Sequence, residues 1–313
     1  MADGALEHRC QGAAARTTLL VGGGIRKLGR VTRSKALIAL AGQIVDSLPP
    51  ELGAEAFVTG SVSRGLADEW SDVELMLATD AVPPLERCLR WWGGEVLTSG
   101  RDGAAIWIDG IRGGTKVEMW WQAYGWIDEE IDEILAGHVR DPGRLTLADA
   151  YLRAVAIRSE GRLAVWQGRL HDYPEALREG LIREAAAIWD VRRASLGMAY
   201  RNDRLPLETA IVEQLKRTLR ILFAVNRLWE PQWKWIRQLV DSLDSKPPRL
   251  VERIDEALLA ADSLGALRAS LELTRDTLAL VPAGIDVAGP RAGVERLLAD
   301  LTPFVDRSGT GVG

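Results

Sequence analysis

Apolar and polar residues alternate along Asp72–Ala78, DVELMLA. Val73, Leu75 and Leu77 fall on one face of an extended chain, and Asp72, Glu74 and Met76 on the other. The same period of two runs through TKVEMWW, where Lys116, Glu118 and Trp120 share a face opposite Val117, Met119 and Trp121. AEAFVTG, EVLTS and AAIWIDG read as further strands, with glycines as turns between them. A helix is expected from Ser34, its cap, to Leu48, because Leu37, Ile38, Ala41, Ile44 and Val45 recur at helical spacing. Pro49 and Pro50 end it. PPLERCLRWW is the second helix of this half.

From Trp126 onward the period turns helical and stays so. Helices are expected over GWIDEEIDEILAG and then over about 146–159, 174–200, 207–228, 233–243, 248–260, 263–280 and 291–301. The fold class is therefore α+β: a mixed, partly antiparallel sheet flanked by helices, then an all-α bundle. Antiparallel pairing is expected because the later strand connections are too short for a helical crossover. The expected organisation is a mobile tail over 1–33, a first domain over 34–135, a helical domain over 136–306 and a flexible end over 307–313.

A chain of 313 residues suits two domains of ordinary size. The formal charge of -5 disfavours nucleic acid as a partner and is compatible with a small cationic substrate. Cys10 and Cys88 form neither a disulfide framework nor a zinc site, so a cytoplasmic location is expected. No run reaches the ~18 apolar residues of a membrane span, and no signal peptide is evident at the start. His8, His138 and His171 are scattered, without metal-ligand spacing.

The chemistry lies in GSVSRGLADEWSDVELMLA. Asp72 and Glu74 point the same way, ~7 Å apart along a strand. Like charges so close need a cation, a shared proton or water. A turn leaving a strand favours the cation, and magnesium takes hard oxygens and is often completed by substrate phosphates. Gly60 permits close backbone approach, Ser61 and Ser63 supply hydroxyls, and Arg64 carries a fork that suits phosphate. This is not a P-loop, since GxxxxGK[ST] is missing. Glu118 on a neighbouring strand is a candidate second-metal ligand or general base. Trp120 shares its face and either stacks on a substrate ring or packs in the core. Lys234, in WEPQWKW, either reaches a triphosphate or lays its stem over Trp233 and Trp235. Arg201 and Asp203 read as a helix-end ion pair, and Trp189 as core.

Gly60-Ser61, a ten-residue spacer and then Asp72-Val73-Glu74 resemble the signature of the DNA polymerase β-like nucleotidyltransferase superfamily. The Glu in SDVELMLA and the later KVEMWW resemble its kanamycin (aminoglycoside) nucleotidyltransferase branch in particular. ILFAVNRLWEPQWKWIRQLVDSL is similar to bacterial nucleotidyltransferases of unassigned substrate. The resemblance implies that Asp72 and Glu74 hold magnesium, as two ions, and that Glu118 is the general base. It implies triphosphate contacts for Ser61 and Arg64, with ATP or another NTP as co-substrate, and a homodimer. The expected activity is transfer of NMP, by default AMP, to a hydroxyl of a small molecule such as an aminoglycoside-like antibiotic. The first domain would then be catalytic, and the helical domain would close over nucleotide and acceptor. A biosynthetic enzyme acting on a sugar or secondary metabolite remains open, as do a toxin-like enzyme acting on protein or tRNA and a non-catalytic nucleotide-binding regulator.

Overall fold

The computed structural model describes residues 22–187 and 192–308. Cys10, His8 and Trp189 lie outside the described residues.

The chain opens with α1 (Gly22–Asp46), β1 (Glu55–Val58), the single turn α2 (Gly60–Ser63), β2 (Val73–Thr79) and α3 (Leu85–Trp92). A hairpin pair follows: β3 (Glu95–Asp102), β4 (Ala105–Arg112) and β5 (Thr115–Ala123). Next come α4 (Tyr124–Leu135), α5 (Pro142–Leu152), β6 (Val155–Arg158) and α6 (Arg162–Leu170). The rest is helical: α7 (Glu175–Ala186), α8 (Arg192–Tyr200), α9 (Arg204–Val225), α10 (Ile236–Leu239), α11 (Leu250–Leu259), α12 (Ser263–Ala279) and α13 (Ala288–Ser308). The class is α+β, as the periodicity indicates. Among the described residues no helix is long and apolar enough to cross a membrane.

The sheet has six strands in the order β3-β4-β5-β2-β1-β6. β2 and β5 pair in parallel, and the other neighbours are antiparallel. β3 and β4 are the excursion that returns β5 to the side of β2 in the same direction. The alternation read from DVELMLA and TKVEMWW holds: Val73, Leu75, Leu77, Val117, Met119 and Trp121 are fully buried. They form one core with Leu37 and Ile44 of α1, Leu48 just after it, and Cys88 and Trp92 of α3. Burial pushes the Cys88 thiol up to about 11.

The opposite face of β1 meets the helical half through aromatic rings. Trp166 of α6 is fully buried between Phe57, Tyr124 and Tyr151, at ring separations of 6.3, 6.1 and 6.0 Å. Its indole N–H donates to Asp128 at 2.9 Å. The Tyr151 hydroxyl donates to Gln122 at 2.6 Å, which ties α5 to β5. Asp141 caps α5 by accepting from the Arg144 N–H at 3.0 Å, and Pro142 pre-sets its first turn.

Several elements differ from expectation. α6 has no counterpart among the expected helices, and the helix expected over 174–200 ends at Ala186, with α8 separate from it. α1 begins at Gly22 rather than Ser34, so part of the stretch expected to be a tail is helical. The helix expected over 146–159 stops at Leu152, and Val155–Arg158 instead forms β6 against β1. Val155 and Ile157 are β-branched and pack on the sheet's core, which tertiary contact rewards over helix extension. The helix expected over 233–243 is broken into two 3₁₀ turns around α10.

Trp166→Ala is expected to cost about 3–5 kcal/mol, because it empties the joint between sheet and helices. Urea unfolding measures this; a loss below about 1 kcal/mol would show that the aromatic cluster does not hold the halves together.

Candidate active site

Parallel pairing puts Glu74 directly beside Glu118, and Asp72 lies one step before the strand begins. On the far side of β5, antiparallel pairing puts Asp109 of β4 opposite Glu118 and Trp107 opposite Trp120. One face of the sheet therefore gathers four carboxylates. Lysines answer three of them. Lys116 donates to Asp72 at 3.3 Å and also to Glu118, and Lys234 donates to Glu74 at 3.0 Å. Hydrogen bonding to Glu118 and the nearby charges raise the Lys116 ammonium above its usual value. Desolvation, then Glu118 and Asp72, push the Asp109 carboxyl up. Its Oδ1 is sealed from solvent and has no hydrogen-bond partner.

The Gly-Ser turn folds onto this face. Thr59 donates to Glu74 at 3.4 Å. Gly60 has φ +64°, and a Cβ there would stand 2.1 Å from Glu74 Oε2. Glycine is thus required twice, for the left-handed backbone and for the carboxylate's approach. Ser63 donates to the Gly60 carbonyl at 3.2 Å and closes the turn. Ser61 is buried and lines neither of the two cavities described next.

α5 lies across the turn. Arg64 pairs with Asp149, and Arg153 approaches the same carboxylate at 3.6 Å. Burial, and then Arg153, lower the Arg64 guanidinium to about 10, with Glu74 opposing.

Two cavities meet at Glu74. One, of about 290 Å³, lies over Met76, Glu118 and Trp120 and is roofed by Thr146 and Leu147 of α5. The other is a narrow space of about 30 Å³ among Arg64, Arg153, Lys234 and Asp149. Among the described residues lining them, the first carries two carboxylates and no cation, and the second three cations. Gln232 borders both.

The structure thus brings together Gly60, Ser63, Arg64, Glu74, Glu118, Trp120 and Lys234, with Asp72 reached through Lys116. Lys234 donates to Glu74, 160 residues away along the chain, a contact that neither reading of it named. Arg201 and Asp203 form the expected ion pair, at 2.9 Å. Asp109, Asp149, Arg153 and Gln232 are additions that the sequence did not single out. Asp149 and Arg153 stand four apart on a helix, which by itself reads as a surface pair.

Among the described residues, no three His, Cys, Asp or Glu side chains cluster closely enough to hold a metal alone. Magnesium asks for less: one or two carboxylates, several waters and substrate phosphates. Asp72 and Glu74 fit that request, and the lysine ammonium groups against them mark places where positive charge is stable.

A family model described as a domain of unknown function, DUF4037, matches residues 145–236. That span includes Asp149, Arg153, Gln232 and Lys234, the helical wall of the cleft. No curated protein matches the chain. Among solved structures, it is similar to a nucleotidyltransferase-like protein from Exiguobacterium sibiricum 255-15. The identity is 13% and the TM-score 0.38, over 92% of this chain and 96% of that one. A likeness at this level assigns no activity.

Gly60→Ala is expected to cost about 1–2 kcal/mol through its backbone alone. Displacement of the Glu74 carboxylate adds to that loss. Urea unfolding measures it; an unchanged stability would show that Glu74 need not sit against the turn.

Proposed function

We propose that the chain is a magnesium-dependent nucleotidyltransferase that moves a nucleoside monophosphate, AMP by default, to a hydroxyl of a small molecule. The observation that carries this reading is the register of β2 and β5, which sets Glu74 beside Glu118 while the Gly60 turn presses on Glu74. The ordered motif from Gly60 to Glu118 supports it from the sequence side.

The reaction joins an acceptor oxygen to the α-phosphorus and breaks the bond from that phosphorus to the bridging oxygen. Pyrophosphate leaves with the electron pair, and the hydroxyl proton goes to a carboxylate. Asp72 and Glu74 would hold magnesium, which when bound neutralises charge on the phosphate oxygens. Glu118, 28% exposed, would orient the acceptor hydroxyl and take its proton. Lys116 must release Glu118 for that, and the release returns a free carboxylate beside Asp72. Arg64 and Lys234 supply positive charge to the phosphates from the narrow side of the cleft. The wider cavity, with Trp120 on its floor, receives the acceptor. Glu74 and Glu118 border this cavity and exchange their lysine partners readily for other cations, so an aminoglycoside-like compound is the first acceptor to try. The reading places the enzyme in the cytoplasm with ATP as donor.

Pyrophosphate release should be measured with Mg²⁺, each of the four NTPs and a panel of aminoglycosides, lincosamides and amino-sugars. Asp72→Asn is expected to abolish release with its fold intact; near-normal turnover would sink the metal assignment. Glu118→Gln is expected to lower kcat by about 10²–10⁴-fold while changing nucleotide affinity little. An unchanged kcat would remove its role as base.

A further inference from the structure

The row of side chains that floors the Trp120 cavity does not stop at β5. Strand register sets Met76 of β2 beside Trp120, Trp120 opposite Trp107 of β4, and Trp107 opposite Gly100 of β3. Two residues along the strands, the same pairing sets Glu74, Glu118, Asp109 and Thr98 in a second row. Trp107 does not line the cavity, yet its ring lies 6.1 Å from that of Trp120, tilted by 31°. Both tryptophans are partly exposed. The core helix α3 packs on the opposite face of β3 and β4, through Cys88 and Trp92.

Gly100 makes this aromatic shelf possible. A Cβ there would stand 2.9 Å from Trp107 Cζ2 and 3.2 Å from its Nε1. Gly100 is not among the glycines with positive φ, so space rather than backbone conformation calls for glycine. The indole therefore lies over β3 at a place where a side chain would push it away.

Each tryptophan has a carboxylate two residues away on its own face, Glu118 for Trp120 and Asp109 for Trp107. The same unit thus occurs twice, on neighbouring strands ~4.8 Å apart. The two copies differ in how their charge is met. Lys116 donates to Glu118, whereas Asp109 Oδ1 has no hydrogen-bond partner. An indole face attracts a cation or the apolar side of a ring, and a carboxylate beside it accepts from ammonium or hydroxyl groups. A ligand that matches both copies has at least two rings and carries such groups along one side.

We propose that Trp107 is a specificity-determining residue: seated on Gly100 and flanked by Asp109, it holds the second ring of a multi-ring cationic acceptor whose first ring lies on Trp120. The proposal rests on the nucleotidyltransferase reading for calling this ligand an acceptor. It adds to that reading a part of β4 and β3 that no motif marks.

The test is calorimetric binding of three probes to the full chain and two variants. The probes are the three-ring aminoglycoside kanamycin A, its single-ring core 2-deoxystreptamine, and ATP with Mg²⁺. Trp107→Ala removes the shelf. Gly100→Val fills the seat and displaces the indole without altering the cavity lining. Thermal melts establish that each variant is folded. The parent chain is expected to bind kanamycin A about tenfold more tightly than 2-deoxystreptamine, and both variants to lose that difference while ATP affinity stays within about twofold. Kanamycin A affinity within about twofold of the parent chain in a folded Trp107→Ala overturns the proposal. If Trp107→Ala does not fold, Gly100→Val decides by the same criterion. Equal affinity of the parent chain for the two aminocyclitols, or no binding of kanamycin A, also overturns it. An equal loss of ATP affinity in Trp107→Ala would put the nucleobase on the shelf and overturn it as well. Trp107-dependent kanamycin A binding without pyrophosphate release would keep the shelf and remove the transfer reaction. Pyrophosphate release with a kanamycin A KM indifferent to Trp107 would do the reverse.

Discussion

The parallel pairing of β2 with β5 puts Glu74 and Glu118 abreast, with Asp72 and Asp109 on either side. Side chains that point the same way from neighbouring strands cannot turn their charge away from one another. The fold answers with cations drawn from distant parts of the chain. Lys116 comes from β5 itself, and Lys234 from the turn after α9. Arg64 and Arg153 then surround the one buried carboxylate on α5. Much of the cleft's architecture follows from this need for charge balance. The helical half is held to the sheet partly by the Trp166 rings and partly by ions that meet across the cleft.

Such pairs are a poor source of stability and a good source of responsiveness. Removing two charges from water costs nearly as much as their attraction returns, so exchange of one cation for another changes the total little. Breaking a pair and leaving one charge buried costs far more. A ligand that supplies a cation to Glu74 and an anion to Lys234 exchanges partners on both sides at once.

The sheet was legible because its period is short and its faces differ sharply. Val73, Leu75 and Leu77 against Glu74 could be sorted from seven residues, and so could Glu118 and Trp120. The acid pair and the turn were legible because they are local. β6 was not, because its strand character comes from the β1 edge that it covers rather than from its own four residues. Asp149 and Arg153 were hidden for a related reason. Their spacing carries an ordinary helical meaning, and their other meaning appears only when α5 is laid over Arg64. Lys234 stood between, since two flanking tryptophans offered its stem a plausible resting place.

β6 also has a bearing on how the molecule can be divided. The edge partner of β1 is supplied by residues that follow α4 and α5, with Phe57 against Ala156 and Val58 against Val155. The sheet and the helical half are therefore laced rather than strung. A chain leaving the ribosome keeps the outer edge of β1 unpaired until Arg158 has emerged, and an unpaired edge is a template for association. The same lacing means that a fragment ended at the α4–α5 connection would lack a strand. The smallest piece able to present Glu74 and Glu118 on the complete six-stranded sheet extends to residue 158.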